Sequence, residues 1–166
     1  MADLPVHPRA RRLIADLRLQ PHPEGGWFAE LFRSARQVRA DGIEGTRASL
    51  TSIAFLLTDR DVSRWHRLRS DEVWHWYEGD PLELLLLGEH DTAPRRSRLG
   101  LLAGGSGPFA AVPAGTWQAA RTLGAYSLVG CTVGPGFEFA DLVLARDVPD
   151  AKKQLAGFGP EVAALL

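Results

Sequence analysis

From Trp27 onward the chain is a succession of short segments rich in β-branched and aromatic residues, which Gly, Pro and Asp separate. The segments are FAELFRS, SLTSIAFLLT, EVWHWYEG, LELLLLG, SRLGLL, FAAVPAG, YSLVGCTV and FEFADLVLA. Segments of this kind are typical of β-strands, and no helical crossover pattern lies between them. The pattern therefore predicts an all-β fold, an antiparallel sandwich or barrel.

Helical patterns occur only towards the two ends of the chain. Arg9 to Leu19 places Leu13, Ile14 and Leu17 on one helical face, which predicts a short N-terminal helix. Pro149 starts a helical C-terminal tail, which Gly157 to Pro160 interrupts before EVAALL. With 166 residues and no repeat or linker, we expect a single domain over 1–166 with a barrel core of about 24–146.

Charge and cysteine content exclude several classes of protein. Nineteen Lys and Arg against twenty Asp and Glu give a formal charge of −1, which argues against nucleic-acid binding. The single cysteine excludes an internal disulfide framework and a multi-cysteine zinc site, and its strand-like setting predicts a buried structural thiol. The N-terminal residues do not resemble a secretory signal, and the longest apolar run is too short to span a bilayer. We expect a cytoplasmic protein with no membrane partner.

The richest concentration of chemical groups is RWHRLRSDEVWHWYEGD, residues 64–80. In a strand, the two-residue period places Glu72, Trp74 and Trp76 on one face and His75 on the other. A carboxylate among tryptophans loses its hydration, which raises its pKa towards neutrality. His66, whose ordinary pKa is about 6.5, is the natural partner of Glu72 for proton transfer.

Two further stretches bear on the same interior. In AVPAGTWQAA the turn at Pro113 and Gly115 precedes a strand in which Trp117 and Gln118 face opposite sides, so the periodicity allows Gln118 to share an interior with Glu72. In HPEGGW two glycines predict a sharp entry into the first long strand. His22 and Glu24 then either cap this turn or lie over the mouth of the barrel and contact a ligand.

The spacing of these residues resembles a known pair of motifs. H-x5-E-x6-G runs from His66 through Glu72 to Gly79, and G-x5-P-x-G begins at Gly107. Both are similar to the two motifs of the cupin superfamily, small antiparallel jelly-roll barrels. Four longer stretches resemble the cupin-5 branch, a domain of unknown function: HPEGGW, SDEVWHWYEGDPLEL, VPAGTWQAA and LVGCTVGPGFEFADLVL. The resemblance implies a cupin double-stranded β-helix.

The resemblance also has consequences for metal binding. Metal-binding cupins use two histidines and a glutamate in the first motif and a histidine in the second. His66 and Glu72 match the first histidine and the glutamate, but Leu68 replaces the second histidine and Gln118 the third. Leu cannot coordinate a metal, and an amide is a weak ligand compared with imidazole. We expect no required cofactor, and at most a weakly bound divalent metal on His66, Glu72 and Gln118.

Cupin deoxysugar epimerases work by acid and base catalysis with a histidine and a tyrosine, and the resemblance implies similar chemistry here. His66 is the expected base, Glu72 its orienting partner or an alternative base, and Tyr126 the expected acid. Tyr77 is a second choice for the acid, because strand periodicity puts it opposite Glu72.

A small sugar-like or keto-acid ligand is expected in the barrel. Its expected contacts come from both motifs, the HPEGGW stretch and the first strand: Trp74, Trp76, Gln118, Arg33 and Glu24. Arg33 is the residue expected to bind an anionic group of the ligand. Two alternatives stay open, a metal-dependent enzyme that uses His66, Glu72 and Gln118 and a non-catalytic ligand-binding or storage cupin. Exposed strand edges and the family resemblance together predict a homodimer.

Overall fold

A computed structural model describes residues 7–102 and 105–166. It confirms the predicted all-β jelly roll with short helices at both ends. The helices are α1 (Pro8–Asp16), α2 (Pro149–Ala156) and α3 (Pro160–Ala163). The strands are β1 (Gln20–Pro21), β2 (Trp27–Arg33), β3 (Gln37–Val38), β4 (Arg47–Ala48), β5 (Thr51–Thr58), β6 (Ser63–Arg67), β7 (Asp71–Gly79), β8 (Leu82–Leu87), β9 (Arg95–Leu99), β10 (Phe109–Val112), β11 (Trp117–Thr122), β12 (Tyr126–Gly134) and β13 (Val143–Leu144).

Two antiparallel sheets face each other. One has the strand order β1-β2-β5-β12-β7-β10 and the other β13-β6-β11-β8-β9, while β3 and β4 form a separate pair. Strands far apart in the chain are neighbours in both sheets; Cys131 of β12, for example, pairs with Ile53 on one side and Trp74 on the other. This arrangement brings β7, which carries Glu72, opposite β11, which carries Gln118.

The core between the sheets explains the apolar run of β8. Leu82, Leu84 and Leu86 pack inward against residues such as Phe55 and Trp74. The intervening Leu85 and Leu87 pack outward beneath the C-terminal helices. Apolar and polar residues alternate in a strand with one face in water, but β8 is covered on both faces, so LELLLL is almost entirely apolar.

The terminal helices cover the outer faces of the sheets. α1 packs Leu13 and Ile14 against Leu56 and Leu128 on the six-stranded sheet. α2 and α3 pack Leu155 and Val162 against the outer face of the five-stranded sheet. Among the described residues, no helix has the length and hydrophobicity that crossing a membrane would require.

One predicted strand is largely wrong. FEFADLVLA forms a 3₁₀ turn over Phe139–Asp141 and then only the two-residue strand β13. The turn buries Asp141, whose carboxylate accepts hydrogen bonds of 2.7 and 3.0 Å from Arg47. The ion pair joins segments that are distant in the chain and fixes the turn, so that Phe139 lies on the cavity between the sheets.

Candidate functional site

A cavity of about 70 Å³ opens between the two sheets. Ionisable side chains line its interior. Phenylalanines and further charged residues lie near its rim. The lining residues that matter here are His22, Glu24, His66, Glu72 and Cys131 in the interior, with Phe28, Glu30, Arg33, Phe137, Glu138 and Phe139 around them.

The HPEGG turn places His22 and Glu24 on this cavity. Gly25 and Gly26 have φ angles of 110° and 71°, and a Cβ at Gly25 would overlap the Val62 carbonyl oxygen. Only glycine fits this left-handed turn close to β6. The turn buries Glu24, whose Oε1 accepts a 2.8 Å hydrogen bond from the Ser63 hydroxyl. Both side chains lie on the cavity, and His22 also caps the turn by accepting a hydrogen bond from the Glu24 backbone N–H; their contact with a ligand stays a prediction.

His66 is enclosed on both sides of its ring. Its Nδ1 lies 2.7 Å from the Arg64 carbonyl oxygen and its Nε2 lies 3.2 Å from Glu24 Oε2. A carbonyl oxygen only accepts, so Nδ1 carries a proton. One further proton must then lie between Nε2 and Oε2.

Burial decides which partner holds that proton. It lowers the pKa of His66 and raises the pKa of Glu24. Both shifts favour the neutral pair, because each charged form would lose its hydration. Burial therefore favours a protonated Glu24 beside a neutral His66 at this contact.

His22 lies beside this pair and is also neutral. Its Nδ1 accepts a 3.3 Å hydrogen bond from the Glu24 backbone N–H, so its proton is on Nε2. Burial lowers its pKa. Its ring packs edge-on to Phe28 and Phe55, with centroid distances of 4.6 and 5.8 Å.

Glu72 is held by a chain of hydrogen bonds that crosses between the sheets. The indole N–H of Trp74 donates to Gln118 Oε1 at 3.0 Å, and Gln118 Nε2 donates to Glu72 Oε2 at 2.6 Å. Because an indole can only donate, Trp74 fixes the orientation of the Gln118 amide. Oε2 of Glu72 is thus the acceptor at the end of this chain.

The environment of Glu72 raises its pKa to about 7, chiefly through burial. The carboxyl of Glu24 adds to the shift, while His66, Gln118 and Trp74 oppose it. Glu72 in turn forms a hydrogen bond with Cys131, whose pKa is raised far above its usual value by burial. Glu72 therefore changes protonation at neutral pH, whereas the Cys131 thiol stays protonated and is not a nucleophile.

The donor set does not fit a divalent metal. Gln118 Oε1 already accepts from Trp74, and His66 Nε2 faces the Glu24 carboxyl. Across residues 7–102 and 105–166, no group of three or more His, Cys, Asp or Glu side chains has the geometry to hold an ion. The predicted trio of His66, Glu72 and Gln118 does meet in space, but the Gln118 oxygen and both ring nitrogens of His66 already face other partners.

Arg33 lines the cavity as predicted, but its guanidinium is already engaged. Nε and Nη2 donate to Glu30 at 2.8–3.2 Å, Nη1 donates to Glu138 at 2.8 Å, and Nη2 also reaches the Phe137 carbonyl at 3.1 Å. Two carboxylates thus surround one cation. The predicted role of Arg33 as an anion-binding residue does not agree with this saturation.

Tyr126 and Tyr77, the predicted proton donors, lie outside the cavity. Tyr126 packs on the α1 side of the six-stranded sheet, and its hydroxyl donates to Glu78 at 3.1 Å. Tyr77 is half-exposed and lies across Gly130. Side chains of a strand alternate between its two faces. Cys131 of β12 and Trp74 of β7 point into the core, whereas Tyr126 and Tyr77 lie on the outward faces of the same strands.

The predicted tryptophan contacts are also displaced from the cavity. Trp76 packs against the core and donates to the Asp80 carbonyl at 3.1 Å. Trp74 lies behind Gln118 and acts on Glu72 through it. Phe137 and Phe139 were missed as lining residues because FEFADLVLA reads as a strand, whereas the segment turns at Phe139–Asp141 and brings both rings to the cavity.

Comparison with known proteins identifies the family but no activity. No match was found among curated proteins. A hypothetical protein from Leishmania major is 32% identical, with a TM-score of 0.79 over 94% of this chain and 95% of that one. A protein from Shewanella oneidensis is also 32% identical, with a TM-score of 0.76 over 93% and 92% of the two chains.

More distant structures share the fold alone. An oxalate decarboxylase from Bacillus subtilis is 16% identical, with a TM-score of 0.57 over 92% of this chain and 38% of that one. The family model described as cupin superfamily (DUF985) matches residues 11–145. The chain therefore belongs to the cupin-5 (DUF985) family of the cupin superfamily.

Proposed function

We propose that the cavity binds a small carbonyl compound and that Glu72 removes a proton from the carbon next to the carbonyl. The observation that carries this proposal is a buried carboxyl in the cavity lining whose pKa is raised to about 7 and whose lone pairs are not all used by Gln118 and the Cys131 thiol. A general base works best when its pKa lies near the working pH. In this proposal the base is Glu72, since both ring nitrogens of His66 are engaged.

Glu24 supplies the matching acid. The C–H bond breaks, its proton goes to Glu72 Oε1, and its electron pair moves towards the carbonyl oxygen. Glu24, whose protonated form burial favours, then gives its proton to that oxygen, and the carboxylate that remains keeps the hydrogen bond that the Ser63 hydroxyl donates to Oε1. Returning the first proton to the neighbouring carbon, or to the opposite face, would give an isomerase or epimerase.

Deuterium exchange tests this proposal without knowledge of the natural substrate. Dihydroxyacetone, pyruvate and aminoacetone would be incubated in D₂O, and loss of the α-proton signal followed by NMR. We expect faster exchange with the wild type than with Glu72→Gln, by roughly 100-fold or more, and a wild-type rate that rises through a pH near 7.

Glu44→Gln is the matched control, because Glu44 is an exposed loop carboxylate outside the cavity lining. It should exchange at the wild-type rate. If the wild type were no faster than Glu72→Gln with all three compounds, the catalytic proposal would fail and a passive binding pocket would be favoured.

A further inference from the structure

We propose that the ligand of this cavity is a small organic cation, a molecule that carries an ammonium group. The inference rests on the proposed function only in assigning the ligand to the same cavity. Binding can be measured where no turnover occurs, so the two proposals can fail separately.

The first argument is the charge that faces the cavity. Its lining contains four carboxyl groups, from Glu24, Glu30, Glu72 and Glu138, and the single guanidinium of Arg33. That guanidinium is shared by Glu30 and Glu138. The two lining imidazoles are neutral at pH 7. The charge at the mouth and interior is therefore negative, which repels an anion and attracts a cation.

The second argument is the aromatic part of the lining. Phe137 and Phe139 lie 5.0 Å apart at 82°, and Phe28 lies 6.4 Å from Phe139 at 80°. Phe139 is 54% exposed. Ammonium groups are attracted to the faces of aromatic rings, and this attraction grows where water is excluded. Phenylalanines beside buried carboxyls match an ammonium on a short carbon chain better than a hydrated metal ion.

The third argument is the hydrogen-bonding capacity that remains. Glu72 accepts from Gln118 at Oε2 and also bonds to the Cys131 thiol, a weak donor, so its carboxylate keeps lone pairs for a further donor. Glu24 Oε2 is shared with His66, and Oε1 accepts from Ser63. An ammonium carries only donors, so it can bond to the carboxylate form of Glu72, whereas the carboxylate of a keto acid would be repelled by that form and by Glu30 and Glu138, which outnumber the charge of Arg33. The keto-acid ligand expected from the sequence is disfavoured on this ground.

A cationic ligand has a measurable consequence for protons. A positive charge beside Glu72 favours its carboxylate form, which lowers its pKa from about 7 and releases protons at neutral pH. The groups that face Glu72 are Glu24, His66, Gln118, Trp74 and Cys131. Of these, only Glu24 and His66 have ordinary pKa values at or below neutrality, and both are neutral in the free protein.

The experiment compares three molecules of nearly equal size by isothermal titration calorimetry on the wild-type protein. They are ethanolamine, ethylene glycol and glycolate, which are positive, neutral and negative at pH 7. We expect ethanolamine to bind at least tenfold more tightly than ethylene glycol, and glycolate more weakly than either. Repeating the titration in buffers of different ionisation enthalpy should show proton release with ethanolamine only.

A second pair isolates the aromatic contribution. Choline and its uncharged analogue 3,3-dimethylbutanol would be titrated into wild type and Phe139→Ala, and the variant should weaken choline more than the alcohol. Phe139 is exposed, so this variant is expected to fold, whereas Glu72→Gln serves only to abolish proton release.

Equal affinity for ethanolamine and ethylene glycol, tighter binding of glycolate, or no detectable amine binding at millimolar concentration would overturn the proposal. Thermal stabilisation by Mn²⁺, Ni²⁺ or Zn²⁺ without stabilisation by either amine would overturn it in favour of an inorganic ion. Amine binding without deuterium exchange would support this inference while contradicting the catalytic proposal.

Discussion

Glu24 Oε2 and His66 Nε2 lie 3.2 Å apart, and both belong to side chains that are almost fully buried. They come from different elements, the HPEGG turn and β6. Because the other nitrogen of His66 donates to the Arg64 carbonyl, this contact needs one proton, and burial puts that proton on Glu24. A glutamate thus lies beside the histidine on the ring nitrogen that would otherwise be open to a ligand.

A neutral Glu24 predicts that Glu24→Gln and Glu24→Ala lower the free energy of unfolding by different amounts. Glu24→Gln keeps a neutral group that can donate to His66, and it should change the free energy of unfolding at pH 7 by less than about 1 kcal/mol. Glu24→Ala leaves Ser63 and His66 buried without this partner, and it should cost about 1–3 kcal/mol. Urea unfolding at pH 7 measures both. A larger loss for Gln than for Ala would show that Glu24 is ionised.

The raised pKa of Glu72 predicts how stability varies with pH. The folded protein binds the Glu72 proton more tightly than the unfolded chain does, so this stability is complete below pH 4.5 and is lost as the pH rises towards and through 7. A shift from 4.5 to about 7 corresponds to roughly 3 kcal/mol. Glu72→Gln, which cannot ionise, should therefore gain about this much relative to wild type between pH 4.5 and 8.

Denaturant titrations at several pH values would check this second prediction. Glu44→Gln should follow the wild-type curve, because its carboxyl is exposed. A constant difference between wild type and Glu72→Gln across the range would mean that Glu72 titrates as an ordinary glutamate.

The hydrogen bond from Trp74 to Gln118 predicts that removal of the Trp74 donor changes the pKa of Glu72, to which Gln118 donates. Trp74→Phe removes the donor that fixes the amide, so Gln118 no longer presents Nε2 to Glu72 reliably. The pKa of Glu72 should rise further, as observed by ¹³C NMR of the labelled glutamate carboxyls. Trp65→Phe is the control, since Trp65 donates to Val162 in a different core and should not alter this titration.

The strands and the facing of Glu72 and Gln118 could be predicted because they depend on a two-residue period. The alternation of residues in β7 and β11 predicts which side chains face inward, and Gln118 indeed donates a hydrogen bond to the buried Glu72. The two glycines of HPEGG likewise predicted a sharp turn, and their positive φ angles agree.

The parts of the site that could not be predicted come from long-range contacts. Whether Glu24 caps its own turn or reaches β6 depends on Ser63, far along the chain. Nothing near Arg33 in the sequence indicates that Glu138 will neutralise its charge. The resemblance to the epimerases suggests a tyrosine acid, but only the packing of one side of β12 against α1 shows that Tyr126 points outward.

The Gln118 oxygen and both ring nitrogens of His66 are already engaged, which predicts that the wild type does not bind a divalent metal firmly. Two substitutions should create such binding. The wild type should show no rise in melting temperature with Mn²⁺, Ni²⁺ or Zn²⁺, whereas Leu68→His combined with Gln118→His introduces two imidazoles beside the cavity and Glu72. The double variant should then gain about 2.7 kcal/mol at a metal concentration 100 times its Kd. Differential scanning fluorimetry measures both, and metal stabilisation of the wild type would contradict the prediction.

We predict that a homodimer forms through the outer face of the six-stranded sheet. On its outer face Phe109 is 64% exposed, Phe32 53% and Tyr77 51%, and Phe109 pairs with His75 on the neighbouring strand. Exposed apolar side chains on one face of a sheet are typical of an interface between proteins.

Light scattering should give twice the 18.1 kDa chain mass for the wild type. Tyr77→Glu should give the monomer mass, because a dimer would bury an unpaired charge. Leu123→Glu, at an exposed apolar position in the turn between β11 and β12, is the control and should stay dimeric. A wild type that is monomeric at micromolar concentration would refute the predicted dimer.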